Sequence, residues 1–264
     1  MNILYIGDIM GEPGIKVVER LLPELRREKK VDLVIAQAEN VTDGRGITPE
    51  DFKRLQAAGV DFCTGGNWSL YHESILPAMN DPMQPIIRPA NYPEGTPGRG
   101  YKYVQVGNKK VLVVSLLGRI VGKDADKPID NPLHVIDRIL KEEKSTQKDA
   151  VVVNLHGDFS SEKVVIGHYL DGRVGLVVGD HWHVPTADAR VLPGGTAHVT
   201  DVGMCGVLEA SLGVTFASVL PRWRDGKPTR NVLETEGPMQ FNAVLADIGP
   251  EGMANSMERI RSIF

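Results

Sequence analysis

MNILYIGDIMGEPG, residues 1–14, is the part of the sequence that is most informative about the fold. Its apolar run at residues 2–6 has the length of a strand and predicts one that is buried on both faces. Gly7 and Asp8 follow, and apolar residues at helical spacing then continue to about Lys29. Pro23 is expected to bend or break that helix. A buried strand that leads through a short loop into a helix predicts an α/β fold with a mostly parallel sheet.

The same alternation continues along the chain. Apolar runs predict strands at residues 32–36, 60–64, 85–89, 150–155, 174–178 and 238–248, and an amphipathic tail without a definite element follows. Helices are predicted at residues 49–59, 72–79 and 132–143, and Thr48 is the N-cap of the first. Hairpins are predicted between residues 101–106 and 111–116 and between residues 190–192 and 197–200. No repeat or linker divides the chain, which predicts a single domain over residues 1–264.

The composition limits the class of function. The chain has 264 residues, of which 42% are hydrophobic, and a net charge of −4. A protein that binds duplex nucleic acid normally carries a basic face, so this class is disfavoured. The sequence contains no run of eighteen apolar residues, which predicts no membrane span. Cys63 and Cys205 fit neither a disulfide framework nor a zinc spacing, and we expect buried thiols in a cytoplasmic protein.

Polar residues with metal-binding groups follow five of the predicted strands. They are Asp8, Glu39, Asn40, Asn67, His156, His181 and His183. Because ligands collect at the carboxyl ends of parallel strands, we expect these side chains to meet at one edge of the fold. His181 and His183 alternate at the end of a strand, so they share a face and could reach two adjacent ions.

The chemistry of this set predicts a centre of two divalent metal ions. Carboxylate, amide and imidazole donors without a thiolate suit Mn or Fe, with Zn as an alternative. Two ions that share a carboxylate can hold a phosphoryl group and activate water. Each residue also has a structural interpretation, such as a helix cap for Asp8 or a turn for Asn40, and only the ordered set favours a metal site. His134 is expected in solvent, His168 near the site, and His198 in either a structural or a functional role.

Longer motifs resemble those of a known family. They include GDIMGEPG (7–14), AEN (38–40), GGN (65–67), RPANYPEGTPGRG (88–100), SSEK (160–163), GDHWHVPTAD (179–188) and GGTAHVTDVGMCG (194–206). In this order they resemble the YmdB-like branch of the calcineurin-like metallophosphoesterases, and the similarity thins after about Leu208. The resemblance implies a sandwich of two mixed sheets flanked by helices, self-association, and a phosphodiesterase of small nucleotides. It favours 2′,3′-cyclic nucleotides as substrates, cleaved by a hydroxide that bridges the ions.

The resemblance also implies a division of the ligands between the two ions. Asp8, Asn40 and His183 would hold one ion, and Asn67, His156 and His181 the other. Glu39 would bridge the two. Met10 occupies the position of a histidine in the wider superfamily, and Asn40 would replace that ligand.

Trp68 is the main departure from the superfamily, which has a histidine after Gly-Asn. An imidazole at that position helps the departing oxygen, whereas an indole cannot carry a proton to it. His72 is a candidate substitute on the same predicted helical face as Trp68, and Trp182 is a candidate partner of Trp68 in a stacking platform for a base. Arg45 and Arg88 are candidate phosphate contacts.

Two other functions remain as alternatives. Trp68 favours a regulatory protein that binds metal or nucleotide and has lost efficient catalysis. An α/β hydrolase with a serine or cysteine nucleophile is disfavoured, because the sequence has no Gly-x-Ser-x-Gly motif.

Overall fold

The structure, a computed structural model, describes residues 1–264 apart from the side chain of Lys123. Its strands are β1 (Asn2–Ile6), β2 (Asp8–Ile9), β3 (Leu33–Gln37), β4 (Phe62–Thr64), β5 (Tyr101–Val106), β6 (Lys109–Leu117), β7 (Ala150–His156), β8 (Leu176–Asp180), β9 (Arg190–Val191), β10 (Ala197–Val199), β11 (Met204–Val207), β12 (Met239–Ile248) and β13 (Ala254–Ile263). Its α-helices are α1 (Gly11–Glu28), α2 (Pro49–Ala58), α3 (Leu76–Asn80), α4 (Pro132–Glu142), α5 (Ser160–Tyr169) and α6 (Phe216–Asp225).

The first sheet has the strand order β2-β11-β12-β1-β3-β4, and β13 pairs with the other side of β12. β1, β3 and β4 are parallel, as predicted. β12 runs antiparallel to β1, with Tyr5 opposite Val244. The start of the chain therefore lies in the middle of the sheet, beside a strand from near its end.

The second sheet has the order β5-β6-β7-β8-β10-β9. β6, β7, β8 and β10 are parallel, whereas β5 and β9 are antiparallel to their neighbours. Both predicted hairpins are confirmed. The first has a tighter turn than expected, because Val106 pairs with Lys109 and leaves only Gly107 and Asn108 between the strands.

The two sheets pack face to face, and helices cover their outer faces. Alternate residues of each strand point to opposite sides, so Val111 and Val113 join the core between the sheets while Leu112 and Val114 face outward. α4 and α5 pack on those outward residues, and α1 and α2 pack on the outer face of the first sheet. The predicted α/β sandwich of two mixed sheets flanked by helices is confirmed.

The ends of the helices follow local chemistry. The hydroxyl of Thr48 accepts the N–H of Asp51 at the start of α2, as the N-cap prediction requires. Gly59 ends α2 with φ of 106°, a left-handed conformation that glycine adopts without strain. α1 runs through Pro23 as one element, so of the two expected effects of this proline, a bend or a break, the break does not occur.

The short helix predicted at residues 72–79 is confirmed as a 3-10 turn, Glu73–Ile75, that continues into α3. The strand predicted at residues 85–89 is wrong for an identifiable reason. Residues 85–89 form an isolated bridge at Ile86 instead of a strand, because prolines at both ends remove two donors.

The elements β2, β11, α6 and β13 were not predicted from the sequence. The tail after residue 248, for which no element was predicted, is the strand β13, antiparallel to β12. Within the described residues, no helix combines the length and the apolar character that crossing a bilayer requires.

Candidate metal centre

The ends of five strands bring all seven predicted ligands to one place. Asp8 starts β2 immediately after β1, Glu39 and Asn40 follow β3, and Asn67 follows β4. His156 is the last residue of β7, and His181 and His183 follow β8. Both sheets therefore contribute at their carboxyl ends. All seven side chains are buried except that of His181, which is 21% exposed.

One group of donors surrounds His183. Its Nε2 lies 3.3 Å from Asn40 Oδ1 and 3.9 Å from Asp8 Oδ1. Its Nδ1 donates to the carbonyl of Leu212 at 3.0 Å, so the lone pair of Nε2 faces the two oxygens. Burial lowers the pKa of His183 and favours the neutral imidazole that a metal ligand requires.

A second group surrounds His156. Its Nε2 lies 2.9 Å from Glu39 Oε1 and 3.2 Å from Asn67 Oδ1. His181 Nδ1 lies 4.0 Å from the same Glu39 oxygen. The amide of Asn67 donates its N–H to Asp124 Oδ2 at 2.8 Å, which leaves its oxygen aimed at His156. Four donors thus lie around His156 Nε2, and Asp8 of the first group has a carboxylate oxygen within 4.8 Å of His156 and Asp180.

Asp180 completes the second group and was not predicted. Its Oδ1 lies 2.6 Å from His156 Nδ1, and its Oδ2 accepts hydrogen bonds from Tyr5 and Gln37 at 2.9 Å each. A carboxylate behind a histidine fixes the ring and leaves its other nitrogen free for a metal. Asp180 stands between Gly179 and His181 in a motif already singled out, but its contact with His156 depends on the pairing of β7 with β8.

The residues present fit divalent cations. Asp8 Oδ1 and Glu39 Oε1 are buried and accept no hydrogen bond within the described part of the chain. Burial and the charge of Asp180 raise the pKa of Asp8 well above its usual range. Buried carboxylates at this density are costly unless a positive charge compensates them. Divalent ions between the oxygens and imidazoles would supply that charge and bind the free acceptors.

The segment that carries His181 and His183 is held in a sparsely populated backbone conformation. The φ angles of these residues are 102° and 63°, in the region that non-glycine residues avoid. The N–H of His181 donates to Asp8 Oδ2 at 3.2 Å, and that of Trp182 donates to Asp201 Oδ2 at 2.9 Å. These hydrogen bonds fix the direction in which the two imidazoles point.

The predicted catalytic residues Trp68 and His72 lie apart. Trp68 is beside the donors, and its backbone N–H donates to Glu39 Oε2 at 3.1 Å. His72 lines an adjacent cavity of about 310 Å³, and the ring of Tyr71 packs edge-on against both residues. The expectation of a shared helical face is wrong, because none of the residues 67–72 is helical.

A cavity of about 480 Å³ opens above the donors, and Trp68 and Trp182 both line it. The indole N–H of Trp182 donates to the carbonyl of Asp158 at 3.0 Å. Arg45 also lines this cavity and lies 5.0 Å from the centre of the Trp68 ring. The guanidinium of Arg88, in contrast, donates hydrogen bonds to the carbonyls of Pro89, Thr96 and Pro97, so its role is structural.

The remaining histidines lie outside the cavity. His134 is exposed on α4, as predicted, and His168 is exposed on α5 instead of approaching the donors. His198 is buried in β10, where its Nδ1 donates to the carbonyl of Val177. Of the two roles expected for His198, structural or functional, these contacts favour the structural one.

Comparison with known proteins agrees with this arrangement. A family model described as YmdB-like protein matches residues 4–260. The chain belongs to the YmdB-like family. The resemblance that the motifs indicated is therefore confirmed over nearly the whole chain.

Three known proteins are similar to the chain in sequence or in fold. A Bacillus subtilis protein named 2′,3′-cyclic-nucleotide 2′-phosphodiesterase is 36% identical over 98% of this chain and 96% of its own length. A hypothetical protein from Thermus thermophilus has a TM-score of 0.90 at 36% identity and covers 100% of this chain and 99% of its own. A structure titled as a novel phosphatase from Mycoplasma pneumoniae has a TM-score of 0.91 at 26% identity, with coverages of 100% and 93%.

Proposed function

We propose that the chain is a phosphodiesterase that hydrolyses 2′,3′-cyclic nucleotides with two divalent metal ions. The observation that carries the proposal is the pair of donor groups at the floor of an open cavity, where Asp8 Oδ1 and Glu39 Oε1 are buried without a hydrogen-bond donor in the described chain. The name of the Bacillus subtilis relative supports the same substrate class.

The two donor groups suggest how the ions would be held. Asp8, Asn40 and His183 would bind one ion. Glu39, Asn67, His156 and His181 would bind the other. Glu39 Oε1 faces the second group, and its predicted bridging role stays part of the proposal. The mixture of nitrogen and oxygen donors favours Mn or Fe, with Zn as an alternative.

The reaction is the addition of water across one P–O bond of the cyclic diester. The water oxygen forms a new bond to phosphorus, the P–O2′ bond breaks, and O2′ takes up a proton. Two divalent ions would lower the pKa of the water and neutralise charge on the phosphate. Arg45 at the cavity wall would orient the phosphate, and Trp68 would exclude water beside Glu39.

Trp68 is the observation that favours a second candidate function. Its indole cannot protonate the departing oxygen, and His72 opens into a different cavity. A regulatory protein that binds metal or nucleotide without efficient turnover would need no such proton donor. Opening of a strained five-membered cyclic diester needs less help from an acid than expulsion of an unactivated alkoxide does, so the enzyme remains the better proposal.

The test is hydrolysis of 2′,3′-cyclic AMP by protein with a measured metal content after loading with Mn or Fe. We expect two ions per chain and turnover, both reduced in Asn67→Ala. Asn108→Ala, an amide in the exposed turn between β5 and β6, is the matched control and should behave like the unmodified protein. Two bound ions with turnover only in Trp68→His would favour the regulatory candidate. Protein that binds neither Mn, Fe nor Zn would overturn the phosphodiesterase and leave the regulatory candidate only as a nucleotide-binding protein.

The domain organisation, the oligomeric state and the cellular location of the protein are also proposals. We propose a single domain over residues 1–264, because residues from both sheets form one shared core. We further propose a cytoplasmic homo-oligomer that binds small nucleotides. Light scattering of the purified protein would measure the oligomeric state directly.

A further inference from the structure

All three tryptophans of the chain line the cavity above the metal centre. They are Trp68, Trp182 and Trp223. Trp223 lies on α6 and is 81% exposed, so its indole is accessible to a ligand in the cavity. The three come from separate parts of the chain, so their convergence is a property of the fold and not of one motif.

The cavity continues into a larger one of about 870 Å³. The two share six residues in their walls, which are Arg45, Trp68, Asp158, His181, Arg222 and Asn231. The second cavity extends along the segment 226–231, which follows α6. A single cleft therefore leads from the donors outward to this segment.

The wall of this cleft is rich in positive charge. Its cations are Arg45, Arg222, Lys227 and Arg230, and none of them forms an ion pair with a carboxylate among the described side chains. The two carboxylates in the wall of the larger cavity already have cationic or histidine partners. Asp124 pairs with Lys127 at 2.7 Å, and Asp158 lies 3.3 Å from His181. The cleft thus attracts anions, although the chain as a whole has a net charge of −4.

Hydrogen bonds hold the outer wall in place. Arg222 Nη2 donates to the carbonyl and the hydroxyl of Thr229 at 3.1 and 2.9 Å and to Asn231 Oδ1 at 2.8 Å. The guanidinium therefore ties α6 to the segment that carries Lys227 and Arg230. Nearer the donors, Arg45 lies over the ring of Trp68. Aromatic rings therefore line the inner part of the cleft, and cations line its whole length.

We propose that the substrate of this site is single-stranded RNA whose 3′ end carries a 2′,3′-cyclic phosphate, with the bases upstream of that end lying in the cleft. This proposal rests on the proposed function, since the cyclic phosphate would occupy the metal centre. One nucleotide offers one base and one phosphate, whereas the cleft offers several aromatic faces and several cations. Stacking of bases on aromatic side chains beside a basic groove is how proteins bind single strands. A 2′,3′-cyclic phosphate requires a 2′-oxygen, which restricts the strand to RNA.

The experiment compares two substrates of the metal-loaded protein. They are 2′,3′-cyclic AMP and an adenosine tetranucleotide with a 2′,3′-cyclic phosphate at its end. We expect kcat/KM to be at least about tenfold higher for the tetranucleotide, and Trp223→Ala to reduce the ratio of the two values about tenfold, as the loss of one stacked base predicts. Arg230→Ala should weaken binding of the tetranucleotide and reduce the slope of log affinity against log salt by about 0.7.

Phe216→Ala is the matched control. Phe216, Leu220 and Trp223 recur along one side of α6 and are all exposed, but of these three only Trp223 lines the cavity above the metal centre. A protein–protein interface on this helix would need Phe216 as much as Trp223. An equal effect of both variants, together with a changed oligomeric state by light scattering, would overturn the proposal in favour of an interface between copies.

The proposal and the proposed function fail in different ways. Turnover of 2′,3′-cyclic AMP with no preference for the tetranucleotide would overturn the RNA proposal alone. If neither substrate is hydrolysed, the proposed phosphodiesterase is wrong. Quenching of tryptophan fluorescence then measures whether the cleft binds the tetranucleotide more tightly than cyclic AMP. Tenfold tighter, salt-dependent binding of the tetranucleotide over cyclic AMP would then support the RNA site, and equal binding would overturn it.

Discussion

Lys163 Nζ lies 2.9 Å from Asp201 Oδ2, and both side chains are buried. Trp182 covers the pair, with the ammonium 4.2 Å from the centre of its ring. Asp201 also accepts the backbone N–H groups of Trp182 and Gly203 at 2.9 Å. The ion pair therefore anchors the strained segment that places His181 and His183.

Lys163→Met is expected to lower the free energy of unfolding by about 3–5 kcal/mol, because it leaves a buried carboxylate without its cation. The same variant should lose bound metal, since the segment of His181 and His183 loses its anchor. Urea unfolding at pH 7 and metal analysis measure the two effects. Lys163→Met combined with Asp201→Asn removes both charges and should be more stable than Lys163→Met alone. A double variant that is no more stable would show that the pair does not act as a unit.

Asp180→Asn is expected to lower metal affinity by about 10–100-fold. The amide keeps the shape of the carboxylate but loses the charge that orients His156 and makes it a better ligand. Titration with a competing chelator measures the affinity. Asp171→Asn is the matched control, because Asp171 accepts backbone N–H groups of Gly194 and Thr196 and does not line the cavity. Unchanged affinity in Asp180→Asn would remove Asp180 from the centre.

Much of the candidate site could be predicted from the sequence, because its donors follow strands that are continuous apolar runs. Asp8, Asn67 and His156 each stand within a few residues of such a run. A run of this kind fixes both the strand and the edge of the sheet at which it ends. Position in the chain was therefore enough to place these side chains together.

The supporting contacts could not be predicted in the same way. Asp180 meets His156 through the pairing of neighbouring strands, and Lys163 meets Asp201 across 38 residues. Nothing local marks a lysine on a helix as buried, since lysine side chains are usually solvated. β13 was missed for a related reason. Its residues are mostly exposed, so it lacks the apolar pattern that identifies a strand, and its pairing with β12 supplies the structure.

Gly66→Ala is expected to abolish binding of at least one of the two ions. A Cβ at this position would overlap Glu39 Oε2 and the ring of His156, and neither group can move without losing its place among the donors. Metal analysis after desalting measures the loss, and circular dichroism checks that the fold persists. Gly249→Ala is the control, since its Cβ would meet only the flexible side chain of Asn255. Full metal content in Gly66→Ala would contradict the proposed position of Glu39.

The ion pairs of Arg54, which lie away from the metal centre, are expected to make a pH-dependent contribution to the free energy of unfolding. This arginine joins α2 to α1 through Glu12 and Glu19, with N–O distances of 2.7 and 3.1 Å. The hydrogen bond from Arg54 lowers the pKa of Glu12 below its usual value. A carboxyl group with a lowered pKa in the folded protein stabilises it fully above the usual pKa of about 4.3. That contribution is lost as the pH falls through the lowered value.

Arg54→Gln should therefore reduce the free energy of unfolding by about 0.5 kcal/mol at pH 7, a small value because water screens these half-exposed groups. The difference from the unmodified protein should shrink as the pH falls below about 4, where Glu12 becomes protonated. Urea unfolding between pH 7 and pH 3 measures it. Arg27→Gln, which removes an exposed pair with Glu24 inside α1, should have no measurable effect. A loss in Arg54→Gln that stays constant down to pH 3 would mean that packing of the arginine, and not its charge, stabilises the helix pair.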